Sequence, residues 1–207
     1  MEKLNMQTTD VVDENIKRFQ EEYPSVYRHL LKFKSKLSNR NKAETGKRYG
    51  WYALQRWGAK YWEDFELPKI VYPNMTKYLP FCYDKNGYYG NDKSFMIAGK
   101  HISYLAAFLN SSLFKFCFRD KFPELLGGTR ELRKIFFDKI PVLEVSDSID
   151  EEFRDLVIDI QQNYSDEKAK AIDQRIFDLY GLTQEERDAI GYIDYHNNND
   201  NEPDDDE

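Results

Sequence analysis

Four basic side chains, Arg40, Lys42, Lys47 and Arg48, fall within nine residues. Trp51, Tyr52 and Trp57 follow at once, with Arg56 among them. Ammonium and guanidinium groups neutralise phosphates, and a guanidinium can also fork onto the edge of a guanine. Rings in such company can stack on bases or wedge into a displaced base step. The alternative is that both tryptophans are core residues anchoring the strand after them, a reading at least as good for Trp57. A second cluster lies downstream, where Gly127-Gly128-Thr129-Arg130 runs into Arg133 and Lys134. Its glycines let the backbone approach a ligand closely, beside a hydroxyl and a guanidinium. It reads equally as a plain turn between strands with an exposed arginine.

Charge is distributed in a way that supports the first reading of both clusters. The whole chain carries a net charge of -7. Residues 27–140 nevertheless hold 22 basic and 10 acidic side chains, while residues 141–207 hold 5 basic and 21 acidic. Such asymmetry points to a polyanion-binding central region followed by an acidic piece that phosphates would repel. Aromatic residues make up 15% of the chain, enough for a ring-rich core and for a stacking surface besides.

Signatures of independent catalysis are absent. The chain has no G-x-G-x-x-G, no P-loop, no H-E-x-x-H and no G-x-S-x-G. It also has no Asn-Pro-Pro-aromatic run of the kind that adenine methyltransferases use to hold a flipped amino group. Glu152, Asp166 and Lys168 have the composition of a nuclease site, but they fall in helical, acidic sequence and read as a solvated face. Cys82 and Cys117 lie far apart, and His29, His101 and His196 are scattered, so neither a metal site nor a disulfide framework is expected. No catalytic residue and no cofactor is assigned to the chain. Met1 is followed by Glu2 and Lys3 without an apolar run, and no stretch approaches the ~20 apolar residues of a membrane span. A cytoplasmic protein with no leader and no membrane association is expected.

The elements that must position these residues are legible in outline. Ile16, Phe19 and Tyr23 have helical spacing, and Pro24 breaks the run. Ser25 is expected to cap a helix carrying Val26, Leu30, Phe33 and Leu37 on one stripe. Residues 38–42 read as a polar loop. Pro68-Lys69-Ile70-Val71-Tyr72-Pro73 is a strand bracketed by prolines. Residues 79–83 form a second strand, Asn86-Gly87 a tight hairpin turn and residues 94–98 a third strand. Ile102, Leu105, Ala106, Leu109 and Leu113 mark a helix that Asn110-Ser111-Ser112 bends or ends. Residues 114–118 continue as strand or helix, and residues 138–142 close the core as an edge strand. Ser148 caps a helix with Phe153, Leu156, Val157 and Ile160 on one face. The next helix stops at Gly181, and Thr183 with Glu186 forms a capping box. Residues 197–207 are almost all Asn, Asp and Glu, and a disordered acidic tail is expected over 194–207. The expectation is an α+β fold: a small curved mixed sheet with packed helices, plus a C-terminal helical hairpin. Residues 1–145 would form the nucleic-acid domain, 146–193 the hairpin and 194–207 a disordered acidic tail.

The order of these features resembles the TaqI-like C-terminal specificity domain of type II restriction-modification enzymes, which are adenine-specific DNA methyltransferases often fused to an endonuclease. The resembling residues begin with Tyr23-Pro24, His29-Leu30, Leu37 and Arg40, and continue through Trp51-Tyr52 with Arg56. They go on through Pro68 to Pro73, Phe81 to Asp84 and Gly87-Tyr88. Leu105 to Leu109-Asn110-Ser111, Leu126-Gly127-Gly128 and Ile140-Pro141 complete the module. Ile172-Asp173 and Leu179-Tyr180-Gly181-Leu182-Thr183 with Glu185-Glu186 look like the closing helices of such enzymes. The resemblance implies recognition of a target in double-stranded DNA. The two clusters described first supply the expected DNA side: Arg40, Lys42, Lys47, Arg48, Trp51, Tyr52 and Arg56 in one, and Gly127, Gly128, Thr129, Arg130, Arg133 and Lys134 in the other. The resemblance also implies a methyltransferase domain, in cis or in trans, that binds S-adenosylmethionine and flips the adenine. The departure from the family is the absence of that domain here, as in a fragment or a stand-alone specificity subunit. The competing expectation is a protein-interaction module that works through the acidic hairpin.

Overall fold

The computed structural model of the chain describes residues 14–46, 48–55 and 61–193. It divides into two units, Met1–Ala59 and Lys60–Glu207. Among the described residues no helix is long and apolar enough to cross a membrane.

In the first unit residues 14–22 are helical (α1), followed by α2 (Pro24–Leu31) and α3 (Lys34–Asn39). Pro24 opens α2 at its first turn, where the missing N–H costs nothing and the ring presets φ. Tyr23 is therefore the N-cap, and Ser25 lies inside the helix rather than capping it. The stripe from Val26 to Leu37 is split at Lys32 and Phe33, and no residue of α2 or α3 is buried. Rings hold the unit together. Phe19 stacks on Tyr52 at 5.2 Å and meets Tyr27 edge-on at 5.7 Å, and Tyr27 meets Trp51 at 6.1 Å.

The second unit is built on an antiparallel sheet ordered β3-β1-β4, from β1 (Lys69–Pro73), β3 (Cys82–Asp84) and β4 (Ser94–Ala98). A second antiparallel ladder joins β2 (Met75–Thr76) to β5 (Arg130–Glu131). The α+β class holds, but the sheet expected to be mixed is antiparallel in both ladders. Its strands follow one another without the crossover helix that parallel pairing needs. The expected hairpin across Asn86-Gly87 is also absent. β3 and β4 flank β1 instead of pairing, so the connection between them must pass across β1.

Side-chain amides cover the outer edge of β3. Gln161 accepts from the Tyr83 N–H at 2.7 Å and donates to its carbonyl at 2.9 Å. Asn110 does the same for Phe81, at 3.3 and 2.7 Å. Asn110 also donates to the Ala106 carbonyl, so the residue that ends the helix ties that end to the sheet.

Against one face of the sheet pack α4 (Ile102–Leu109) and α5 (Ser112–Phe118), with α7 (Asp147–Gln162) and α8 (Asp166–Leu179) behind them. Residues 114–118 are thus helical. Phe108, Phe114, Phe153, Ile176 and Phe177 are fully buried in this core. Two acids of the C-terminal helices turn inward. α4 starts at His101 in a left-handed conformation without a side-chain cap, and the Asp150 carboxylate accepts from the Tyr104 N–H at 2.9 Å instead. Asp173 accepts from the Ser112 N–H at 2.9 Å and from its hydroxyl at 2.5 Å. Helix N-termini leave such N–H groups unpaired and favour negative charge, which explains why these carboxylates are tolerated in a core.

Two further boundaries differ from expectation. Ser146, not Ser148, caps α7. Residues 138–142 join no ladder, because α6 (Lys134–Phe137) precedes them and Ile140-Pro141 leaves it as unpaired chain. Gly181 does stop α8: it sits at φ 64°, and Leu182 N–H reaches back to the Phe177 carbonyl at 3.0 Å. The capping box of α9 (Gln184–Ile190) is present, with Thr183 and Glu186 bonded reciprocally. Thr183→Ala is expected to lower stability by about 1 kcal/mol. Urea unfolding would show this as a shifted midpoint, and an unmoved midpoint would remove the box from the energetics of the fold.

Candidate nucleic-acid interface

The residues expected at the interface fall in both units. Lys47 and Arg56, with Trp57, lie outside the described residues. In the first unit the chain after α3 turns back on itself. Arg40 closes it, donating to the Ala53 carbonyl while its guanidinium lies 5.1 Å from the Tyr49 ring centre. Lys42 is exposed, and Arg48 is exposed with Glu44 at 2.8 Å. Trp51 and Tyr52 are half-buried in the ring cluster, with the Lys34 ammonium over Trp51 at 5.5 Å. Their rings are engaged by the unit itself. Arg40, Lys42 and Arg48 remain gathered on one short turn.

In the second unit Gly127 and Gly128 both have positive φ, 68° and 70°. This left-handed pair makes a tight turn: the Leu125 N–H bonds to the Thr129 carbonyl at 2.7 Å, and the Thr129 hydroxyl donates to the Leu126 carbonyl at 2.6 Å. Arg130 belongs to the frame of this turn. Its guanidinium donates to the Phe122 carbonyl at 3.1 Å and pairs with Glu124 at 2.9 Å, and only 14% of the side chain is exposed. Arg133 and Lys134 project outward, paired with Glu131 at 2.7 Å and Asp138 at 2.6 Å. Exposed pairs of this kind are worth under ~1 kcal/mol, so a phosphate can take the place of either carboxylate.

The turn brings in residues that the sequence order hides. Lys77 lies against it, within 3.8 Å of where a Gly127 Cβ would stand, and its carbonyl accepts from Arg119 at 3.5 Å. Leu126 stands out at the apex, 97% exposed. The signal was the pairing of β2 with β5, which brings residues 75–78 beside 126–131 and which no periodicity reports. Glu152, Asp166 and Lys168 do not form a site: Glu152 is held by Arg175 in a two-point pair at 2.6 and 2.9 Å, and Lys168 by Asp159 at 2.9 Å. Among the described residues no three His, Cys, Asp or Glu side chains are grouped as metal ligands.

Residues 12–142 match the TaqI-like C-terminal specificity domain. The chain is also similar to the type II methyltransferase M.MjaIV of Methanocaldococcus jannaschii, with 26% identity over 180 residues. That alignment takes in 76% of this chain and 55% of the relative, so the chain spans about half the length of the enzyme it matches. With well over half of its residues inside the matched region, the chain belongs to the TaqI-like C-terminal specificity domain family, whose role is DNA target recognition in restriction-modification enzymes.

Proposed function

We propose that this chain selects the target sequence of an adenine-specific methyltransferase by binding one side of double-stranded DNA. The observation that carries the reading is the overlap of the family match, residues 12–142, with the strongly basic stretch 27–140. Arg40, Lys42, Arg48, Arg133 and Lys134, with Lys47 and Arg56, supply phosphate contacts and carry no sequence information by themselves. A methyltransferase domain, in cis or in trans, holds S-adenosylmethionine and performs the transfer; a nuclease fused to it is compatible with this division of labour. The helical piece 146–193 braces the sheet, and its exposed carboxylates turn toward that domain rather than toward phosphate. The acidic tail expected over residues 194–207 lies outside the described residues, and the assembly works in the cytoplasm.

A salt titration against a pool of random duplexes, with sequencing of the bound fraction, tests the reading. Salt-sensitive binding that enriches one short motif is the expected result. Arg48→Ala should weaken binding to all sequences alike and reduce the salt slope by about one. An unchanged slope removes Arg48 from the interface. No binding at low salt would favour a protein-interaction module instead.

A further inference from the structure

A fully buried ion pair lies at the start of the sheet. Lys69 Nζ and the Asp84 carboxylate are 2.6 Å apart, with side chains 1% and 4% exposed. Burying two charges costs several kcal/mol per ion, and two apolar side chains would join β1 to β3 at least as well. What apolar side chains cannot do is accept hydrogen bonds, and Asp84 accepts two from the loop that follows it. Its Oδ1 takes the Asn86 N–H at 2.8 Å and its Oδ2 the Tyr88 N–H at 2.9 Å, one on each side of Gly87. Gly87 itself has φ 74°.

The rest of the loop, residues 85–93, is also secured. Tyr89 stacks flat on Phe65 at 4.8 Å and donates to Glu66 at 2.6 Å. Lys69 donates its remaining reach to the Phe65 carbonyl at 2.6 Å, so the partner of that stack hangs on the same ion pair. At the far end the Lys93 carbonyl accepts from the Asn74 N–H at 2.9 Å, and the Asn74 carbonyl accepts from Leu132 N–H next to Arg133. The loop thus leaves from the buried pair and ends beside the basic segment. Between these anchors the side chains of Asn86 and Tyr88 are exposed, and neither bonds to another described residue.

We propose that Asn86 and Tyr88 are specificity-determining residues, presented to the base edges of DNA by the Lys69–Asp84 pair. The proposal rests on the reading of the chain as a DNA target-recognition domain. A rigid backbone with free polar tips is what discrimination between bases requires, because a mobile tip adapts to every sequence. The Asn86 carboxamide offers one donor and one acceptor side by side, the match for the adenine edge in the major groove. Tyr88 adds a ring for a thymine methyl or a neighbouring base. Lys69 and Asp84 act as positioning residues.

The test compares the full chain with N86A, Y88A and the apolar pair variant K69M/D84L in selection from random duplexes, with total binding and salt slope measured in parallel. Both exposed variants should fold, and their salt slope should stay that of the parent because neither residue carries a charge. N86A should relax one position of the enriched motif, with discrimination there falling roughly 5- to 150-fold. K69M/D84L should remain folded by circular dichroism and lose selectivity at the same position. An unchanged motif from N86A and Y88A overturns the proposal, as does a parent chain that binds yet enriches nothing. A parent chain that does not bind at low salt overturns the target-recognition reading itself, a separate failure visible before any variant is made.

Discussion

Lys69→Ala is expected to destabilise the second unit by about 3–5 kcal/mol, the largest effect of any single change on its polar residues. The substitution leaves Asp84 charged, buried and facing a cavity. It also removes the bond to the Phe65 carbonyl. Burial alone would push the Asp84 carboxyl up. The hydrogen bonds from Lys69, Asn86 and Tyr88 outweigh it and hold the group below the ordinary carboxylate range. Without Lys69 only the Asn86 and Tyr88 N–H groups oppose the cost of burial. Urea unfolding at neutral pH should show the loss, and K69M/D84L should recover most of it, since removing both charges is often neutral. A K69A midpoint within experimental error of the parent would mean that the pair contributes nothing to the fold.

Asp173 should show the opposite dependence on pH. Burial pushes its carboxyl up to about 6 from 3.8, against the pull of its two bonds from Ser112. The folded state therefore holds this proton more tightly than the unfolded chain does. Its contribution to stability is greatest below pH 3.8, is lost as pH rises toward 6, and is a constant penalty above it. The shift corresponds to roughly 3 kcal/mol. Asp173→Asn keeps an acceptor for the Ser112 N–H and removes the titration. The variant should gain on the parent as pH rises from 4 to 7, by up to about 3 kcal/mol less any loss in hydrogen bonding. Unfolding midpoints of both proteins across that range give the answer, and parallel curves would show that Asp173 does not titrate with folding.

Local chemistry was legible in the sequence, and pairing was not. The proline-bracketed strand, the stop at Gly181 and the Thr183 capping box each depend on residues within a few positions of one another. The strand order could not be read that way. Asn86-Gly87 carries a hairpin signal, yet β1 separates the two strands because Ile70 and Tyr72 fill the core between them. Nothing local marks Lys69 and Asp84 as a pair; register sets them opposite each other. The acidic count after residue 140 was a correct sum with an incomplete meaning, since Asp150 and Asp173 serve buried helix ends. The same holds for the candidate interface. Clustered cations stood out, whereas the contacts that engage Trp51, Tyr52 and Arg130 within the fold join residues too far apart in sequence to leave a local signal.

The amides of Asn110 and Gln161 have a consequence for assembly. An edge strand with unpaired N–H and carbonyl groups is a template for a foreign strand, and so for aggregation or domain exchange. On β3 the outward groups of Phe81 and Tyr83 are already saturated by side chains that belong to α7 and to the end of α4. A neighbouring molecule gains no main-chain bonds there without first prying helices from the core. Among the described residues the outer side of β4 has no partner strand, so growth of the sheet by recruitment of another chain is directed to that side.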